Sequence, residues 1–476
     1  MMRRLVVLAL VFVAPRLHAQ AKTQCSSTSE RFSFDSTAAG KVSFWGGNVV
    51  IRCPERGITV KGDSAEQTPD HYFVIGHASY DEPRLHVTSD FLNYFPNDED
   101  VRAVGHVDAK LPSGSRLVGP IAEYYLAGRI RKQTLMTARA RPTITIVEKD
   151  SAGRPSEPTT VVSDSVRVEN DSLVYARGEV VITRPNLDAQ ADSVFIDEGA
   201  ETMALRRGPQ LHGKGSRPFT LTGDLIDLFS RNRKLERVIS KTNAVALSDS
   251  MTLKADTIDL RIRNDVLDHA FAWGKAGRAH VNSPSQNLVA DSLDVEMPAQ
   301  RIRTVRAFNR AYAEGKPDTT RFKPDKSQPV NWLRGDTITA HFDTTPPPPR
   351  DTSKSPQIKN LVASGNASSV YLMPPSDSAE HRPAINYVVA RIIAVDFSNQ
   401  QVATVTTVDS VSGVFLEPKP DTAKKQNAAA TAPRTINQPT NGAKPAVPPT
   451  RPGTPPPKKP PAADTPLATP PRTGKP

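Results

Sequence analysis

The chain has 476 residues, of which 37% are hydrophobic and 23% charged, with 43 prolines, two cysteines and a formal net charge of +11. Arginines of the leader and a Lys/Arg-rich tail carry nearly all of that charge, and the near-neutral body argues against a nucleic-acid surface. No phosphate loop ending in Lys-Ser/Thr, no Gly-x-Ser-x-Gly elbow and no His pair at metal-ligand spacing occurs, so no enzymatic activity, cofactor or metal is expected.

Residues 1–21 read as a secretory signal peptide: Arg3 and Arg4, an apolar run from Leu5 to Ala14, then Ala19-Gln20-Ala21 as the cleavage site. The apolar run is too short to cross a bilayer, and no other stretch is long and apolar enough for a transmembrane span. An exported, soluble protein is expected. Cys25 and Cys53 follow, either joined as a disulfide stapling the first repeat or present as two unrelated thiols.

The body is organised by one phrase: hydrophobic, any, small, Asp, any, hydrophobic, any, hydrophobic. It is clearest at Leu253-Lys254-Ala255-Asp256-Thr257-Ile258-Asp259-Leu260, and recurs around Asp224 and Asp291. Looser copies centre on Asp63, Asp90, Asp164, Asp192 and Asp336, and a degraded one at Leu117–Ile121 has Pro120 in place of the Asp. Most copies are roughly 30 residues apart, which marks a repeat architecture.

Leu253 and Ala255 share one face of a strand, whereas Ile258 and Leu260 resume one step out of phase. Both pairs face inward only if the strand bends at the small-Asp step. The Asp then reads as a corner residue accepting hydrogen bonds from freed backbone amides. Its rival, a stacked carboxylate ladder holding Ca²⁺, lacks the Gly-rich calcium-repeat signature. Between the Asp phrases lie short strands opened by Gly or Asn, such as Gly47-Asn48-Val49, Gly105-His106-Val107 and Gly178-Glu179-Val180. Two strands per unit make an antiparallel meander of about nine units. The histidines, among them His71, His106, His212 and His280, read as scattered surface or loop residues.

Insertions at 148–160, 315–330 and 345–356 read as exposed loops, and a less regular stretch, residues 345–416 with a Pro-rich seam, continues the repeat. Residues 417–476 are Pro-, Ala- and Lys-rich without aromatics and are expected to be disordered.

Stacked in order, the bent strands would project Val60, Val87, Leu92, Val166, Val194, Ile226, Leu253, Ile258, Leu288, Leu293 and Ile338 onto one continuous apolar surface. A wide trough would admit acyl chains; a narrow one would be core, the commoner fate of inward apolar residues.

The phrases Leu187-Asp188-Ala189-Gln190-Ala191-Asp192, Leu253-Lys254-Ala255-Asp256 and Leu288-Val289-Ala290-Asp291, alternating with Gly-x-Val strands behind a signal peptide, resemble the OstA-like family of LptA and the N-terminal domain of LptD. That resemblance covers residues 22–344. It implies an all-β fold of bent antiparallel strands stacked as a V-shaped jelly roll, in the periplasm and in contact with the outer membrane. It further implies lipopolysaccharide or a similar multi-acyl lipid as cargo, with the eleven inward residues as lipid-binding positions. Other OstA-like transport components would join through sheet edges. The chain is longer than the minimal bridge protein of that family and lacks the translocon's barrel. A structural or adhesive β-solenoid with a packed core is the alternative.

Overall fold

The computed structural model describes residues 25–418, apart from 38–39, 112, 148–152, 155–156, 216, 249–250, 275–276, 284–285, 316–329, 344–356, 374–381 and 399–400. The leader at 1–21 and nearly all of the tail at 417–476 lie outside the described residues, as does most of the three insertions.

Thirty strands form one antiparallel sheet, and the other regular elements described are two single 3-10 turns, Pro54–Arg56 and Pro298–Gln300. The all-β class and the bent, stacked strands are as the repeat implied. Pairing follows chain order: Gly40–Cys53 lies on Ile58–Gln67, that strand on Tyr72–Glu82, and so on to Ile358–Met373 on Ala384–Ser398. Some rungs are single strands, while others break in two, as Thr159–Val162 and Ser165–Glu169 do against Leu173–Thr183. Counted this way the described chain makes 22 rungs, eleven units rather than the nine suggested by the Asp series. The extra units lack a recognisable Asp phrase. Strand Ile358–Met373 pairs directly with Asn331–Phe342, so the sheet continues through the C-terminal repeats without a break.

The bend has a fixed chemistry. Register slips between Gly46 and Val49, Ile75 and Ala78, Val104 and Val107, Arg177 and Val180, and again at Lys241/Ala244, Phe308/Ala311 and Ser364/Ala367. Two consecutive left-handed residues occupy each slip, including Gly76-His77, Gly105-His106, Thr242-Asn243 and Asn309-Arg310. Glycine tolerates this conformation without a Cβ penalty. At Gly76 (φ +74°) a Cβ would also come within 2.3 Å of the Asp63 carboxylate on the preceding rung.

Rungs of this left-handed kind alternate with the Asp rungs, and the left-handed residue caps the carboxylate. His77 Nδ1 lies 2.9 Å from Asp63 and His106 Nδ1 lies 2.8 Å from Asp90. Asn366 donates to Asp336 at 3.1 Å, and Arg310 to Asp291 at 2.7 Å. The corner Asp is therefore mostly served by side chains, where the sequence suggested backbone amides; a backbone donor occurs at Asp256, from Gly277 at 3.5 Å. His106 is thus a cap, which its isolated position in the sequence did not reveal. In the last unit the charges are exchanged, with Arg391 at the Asp position and Asp409 in the left-handed turn, 2.8 Å apart.

Each rung has two arms meeting at its corner. The first arm includes Tyr72 to Ile75 and Phe91 to Phe95; the second includes Ala78 to Glu82 and Leu85 to Thr88. Inward side chains of both arms form one continuous core. Cys25 and Cys53, left open by the sequence, form a disulfide, and it ties the first rung, where Ser26–Thr28 pairs with Val50 to Arg52.

Candidate functional site

Opposite the corners, the tips of the two arms form a mouth. Along its N-terminal part the tips are bridged. Arg56 of the second arm donates to Glu99 of the first at 2.6 Å, and Glu99 also accepts from the amides of Arg129 (3.0 Å) and Ile130 (2.9 Å). Tyr124 of the first arm donates to Glu82 of the second at 2.6 Å, joined by Tyr80 at 3.2 Å. Tyr80 meets Tyr94 across the interior with ring centroids 5.8 Å apart. Arg84 pairs with Asp171 at 2.5 Å, and Asn186 donates to Asp265 at 3.3 Å. In each bridge the first-arm partner belongs to a rung further along the chain, an offset that accords with the twist of stacked strands.

The carboxylates of Glu82 and Glu99 differ. Burial pushes Glu82 above the ordinary glutamate value, and the tyrosine hydrogen bonds only partly oppose it. Burial acts on Glu99 in the same direction, but two backbone amides and the Arg56 guanidinium outweigh it and hold the carboxyl below its usual range. Burial also pushes the Tyr94 hydroxyl up to about 12, and that hydroxyl has no hydrogen-bond partner among the described residues.

Further along, the arms separate. A cleft with about 100 Å³ of free space opens between the second-arm residues Phe219, Ala246, Met251, Leu253 and Val281 and the first-arm residues Leu260, Leu267, Val295, Met297 and Ile302, with Arg217, Ser248, Thr252 and Gln300 as polar members. Its lining is almost wholly apolar, with a methionine on each arm. A smaller space of about 30 Å³ lies nearer the N-terminus, lined by Ile146, Ile196, Met203 and Leu228 among others.

Ten of the eleven sequence-predicted lipid positions are buried in the core: Val60, Val87, Leu92, Val166, Val194, Ile226, Ile258, Leu288, Leu293 and Ile338. Only Leu253 lines the cleft. Sequence reasoning missed Phe219, Met251 and Met297, which lie at or beside strand ends; Leu260 stood in the founding phrase and was the available signal. Among the described residues no group of three or more His, Cys, Asp or Glu side chains is placed to hold a metal ion, and no helix is long and apolar enough to cross a membrane.

The sheet ends carry exposed apolar groups. Phe32 and Phe34 are exposed on the first rung, as are Val414, Phe415 and Leu416 on the last, where Ser412–Leu416 pairs, among the described residues, with Ala384–Ser398 alone.

No family model and no curated protein matches this chain. Among solved structures it is similar to LptH, the LptA homologous periplasmic component of the lipopolysaccharide transport device from Pseudomonas aeruginosa, at 17% identity and a TM-score of 0.23, over 26% of this chain and 94% of that one.

Proposed function

We propose that this protein is a non-enzymatic periplasmic carrier that shields the acyl chains of a lipopolysaccharide-type amphiphile between its two arms. The apolar cleft at the mouth carries this reading. A chain lying on Leu253, Leu260, Val281 and Val295 would leave its polar headgroup in water beside Arg217 and Gln300. Each buried methylene contributes about 0.8 kcal/mol, so an acyl chain needs no polar clamp to be held. Met251 and Met297 are unbranched and adapt to an irregular guest. The exposed strands at the two sheet ends suit pairing with related transport domains.

Burial of ten of the eleven candidate residues favours a second reading, a structural solenoid with a packed core and no cargo. Native mass spectrometry of the gently purified protein, with lipid extraction, separates the two. A co-purifying multi-acyl lipid that is lost in Leu253→Asp supports the carrier. A clean apo mass that also refuses added lipopolysaccharide supports the solenoid.

A further inference from the structure

We propose that the loop at 127–133, on the first-arm rim of the mouth, is a contact site for an anionic lipid bilayer. Ile130 would enter the headgroup region while Arg129, Arg131 and Lys132 meet the lipid phosphates. This goes beyond the carrier reading and stands whatever the cleft holds.

Residues 127–133, Ala-Gly-Arg-Ile-Arg-Lys-Gln, are all exposed. The connection between Arg116–Tyr125 and Leu135–Arg139 runs over 126–134, whereas first-arm turns further along the stack take only 232–233 and 264–265. The loop is long but firmly held. Its ends are tied to the first-arm turns on either side, the Leu126 amide donating to the Glu99 carbonyl at 2.9 Å and the Asn170 amide to the Thr134 carbonyl at 3.0 Å. The Glu99 carboxylate accepts from the amides of Arg129 and Ile130, and the Gly128 amide donates to the Arg131 carbonyl at 2.6 Å. Gly128 packs directly on Glu99, where a Cβ would come within 2.7 Å of the carboxylate oxygens. A turn fixed in this way presents Ile130 with 56% exposure. The apolar burial that this side chain forgoes in the core is available to it in a lipid interface.

Charge selects the occupant. Arg129 donates to the Asn97 carbonyl at 3.2 Å, and Arg131 lies over the Tyr125 ring at 4.8 Å. Neither contact neutralises the cation. On the flanking turns Glu99 and Asp171 are paired with Arg56 and Arg84, which leaves the exposed Asp98 against three cations. An apolar tip set among cations matches a bilayer that contains anionic lipids: the acyl boundary takes the isoleucine, and the long Arg and Lys side chains reach the phosphates. A polyanionic glycan would engage the cations and leave Ile130 in water. For a lipid carrier, such contact would set the mouth against a membrane.

The test uses the full chain, in which both native cysteines are disulfide-bonded. Ile130→Cys carrying the environment-sensitive dye NBD should brighten and shift to the blue with vesicles of phosphatidylethanolamine and phosphatidylglycerol. Lipids spin-labelled near the glycerol end of the acyl chain should quench it. The same dye at Val118→Cys, exposed on the second arm, should do neither. Without dye, the triple variant Arg129→Gln, Arg131→Gln, Lys132→Gln should sediment with these vesicles roughly ten-fold more weakly or worse. Ile130→Ser should lose several-fold, and thermal melting should be unchanged in both because every altered side chain is exposed. Residues 417–476 are the same in all variants, so their charge drops out of the comparison. Equal sedimentation of parent and triple variant overturns the proposal, as does a parent that fails to sediment at all. An unquenched dye at position 130, with dextran sulfate bound equally by parent and Ile130→Ser, makes the loop a polyanion site and also overturns it.

Discussion

Glu82 and Tyr124 meet at 2.6 Å across the mouth, although 42 residues separate them in the chain. Burial raises the carboxyl above the ordinary glutamate value, partly offset by the hydrogen bonds of Tyr124 and Tyr80. A raised carboxyl means that the folded state binds the proton more tightly than the unfolded chain. Its stabilising contribution is complete below the unfolded value and is lost as pH rises through the folded one. Glu82→Gln removes the charge and keeps an oxygen acceptor for one tyrosine, while the other hydroxyl can accept from the new amide NH2. It should melt above the parent near pH 8 and lose that advantage near pH 5; a variant that melts lower at both values contradicts the assignment.

Glu296 behaves oppositely. Hydrogen bonds from Arg303 and Arg306 hold its carboxyl at about 2, well below the ordinary glutamate value. Stability from this cluster is present above the unfolded value and is lost as pH falls through the folded one. Urea titrations in that acid window should show a shallower loss for Glu296→Gln than for the parent, with the variant already weaker at neutral pH.

The corners make a steric prediction. Gly105 has φ +79°, and a Cβ there would meet the Asp90 carboxylate at 2.3 Å. Gly105→Ala should cost roughly 1–3 kcal/mol in chemical denaturation. Combined with Asp90→Ala, which removes the colliding group, the loss should be smaller than the sum of the two single losses. Strict additivity would mean that the carboxylate is not what excludes the side chain.

Ile258 and Leu253 stand in one phrase but differ in surroundings: Ile258 is 0% exposed, whereas Leu253 is partly buried and lines the cleft. Ile258→Ala should cost roughly 2–5 kcal/mol, and Leu253→Ala clearly less, by equilibrium unfolding. Equal losses would mean that the cleft is as tightly packed as the core.

Reduction of Cys25–Cys53 should act locally, because each rung touches mainly its neighbours. Hydrogen exchange should rise within Ser26–Thr28 and Arg31–Thr37, with little change beyond Tyr72–Glu82. A uniform rise along the stack would show that the disulfide supports the whole sheet.

The repeat was legible because its causes are local. A phase shift across Ala255-Asp256 dictates a bend wherever it occurs, and the run of such phrases gives the meander and its inward face. The role of the Asp was half legible. Its corner position follows from the pattern, but its cap stands on another rung, as His77 does for Asp63. Reading that cap required knowing which Gly-x step stacks on which Asp.

The sequence alone thus determined an all-β stack of bent strands and which side chains turn inward, since both follow from alternation over a few residues. Only the tertiary structure decided how far the arms close. Inward-facing Val87 and Leu253 are equivalent by pattern, yet one is buried and the other lines a cleft. The difference lies in bridges such as Arg84–Asp171 and Asn186–Asp265, whose partners are brought together by the offset between arms rather than by any spacing along the chain.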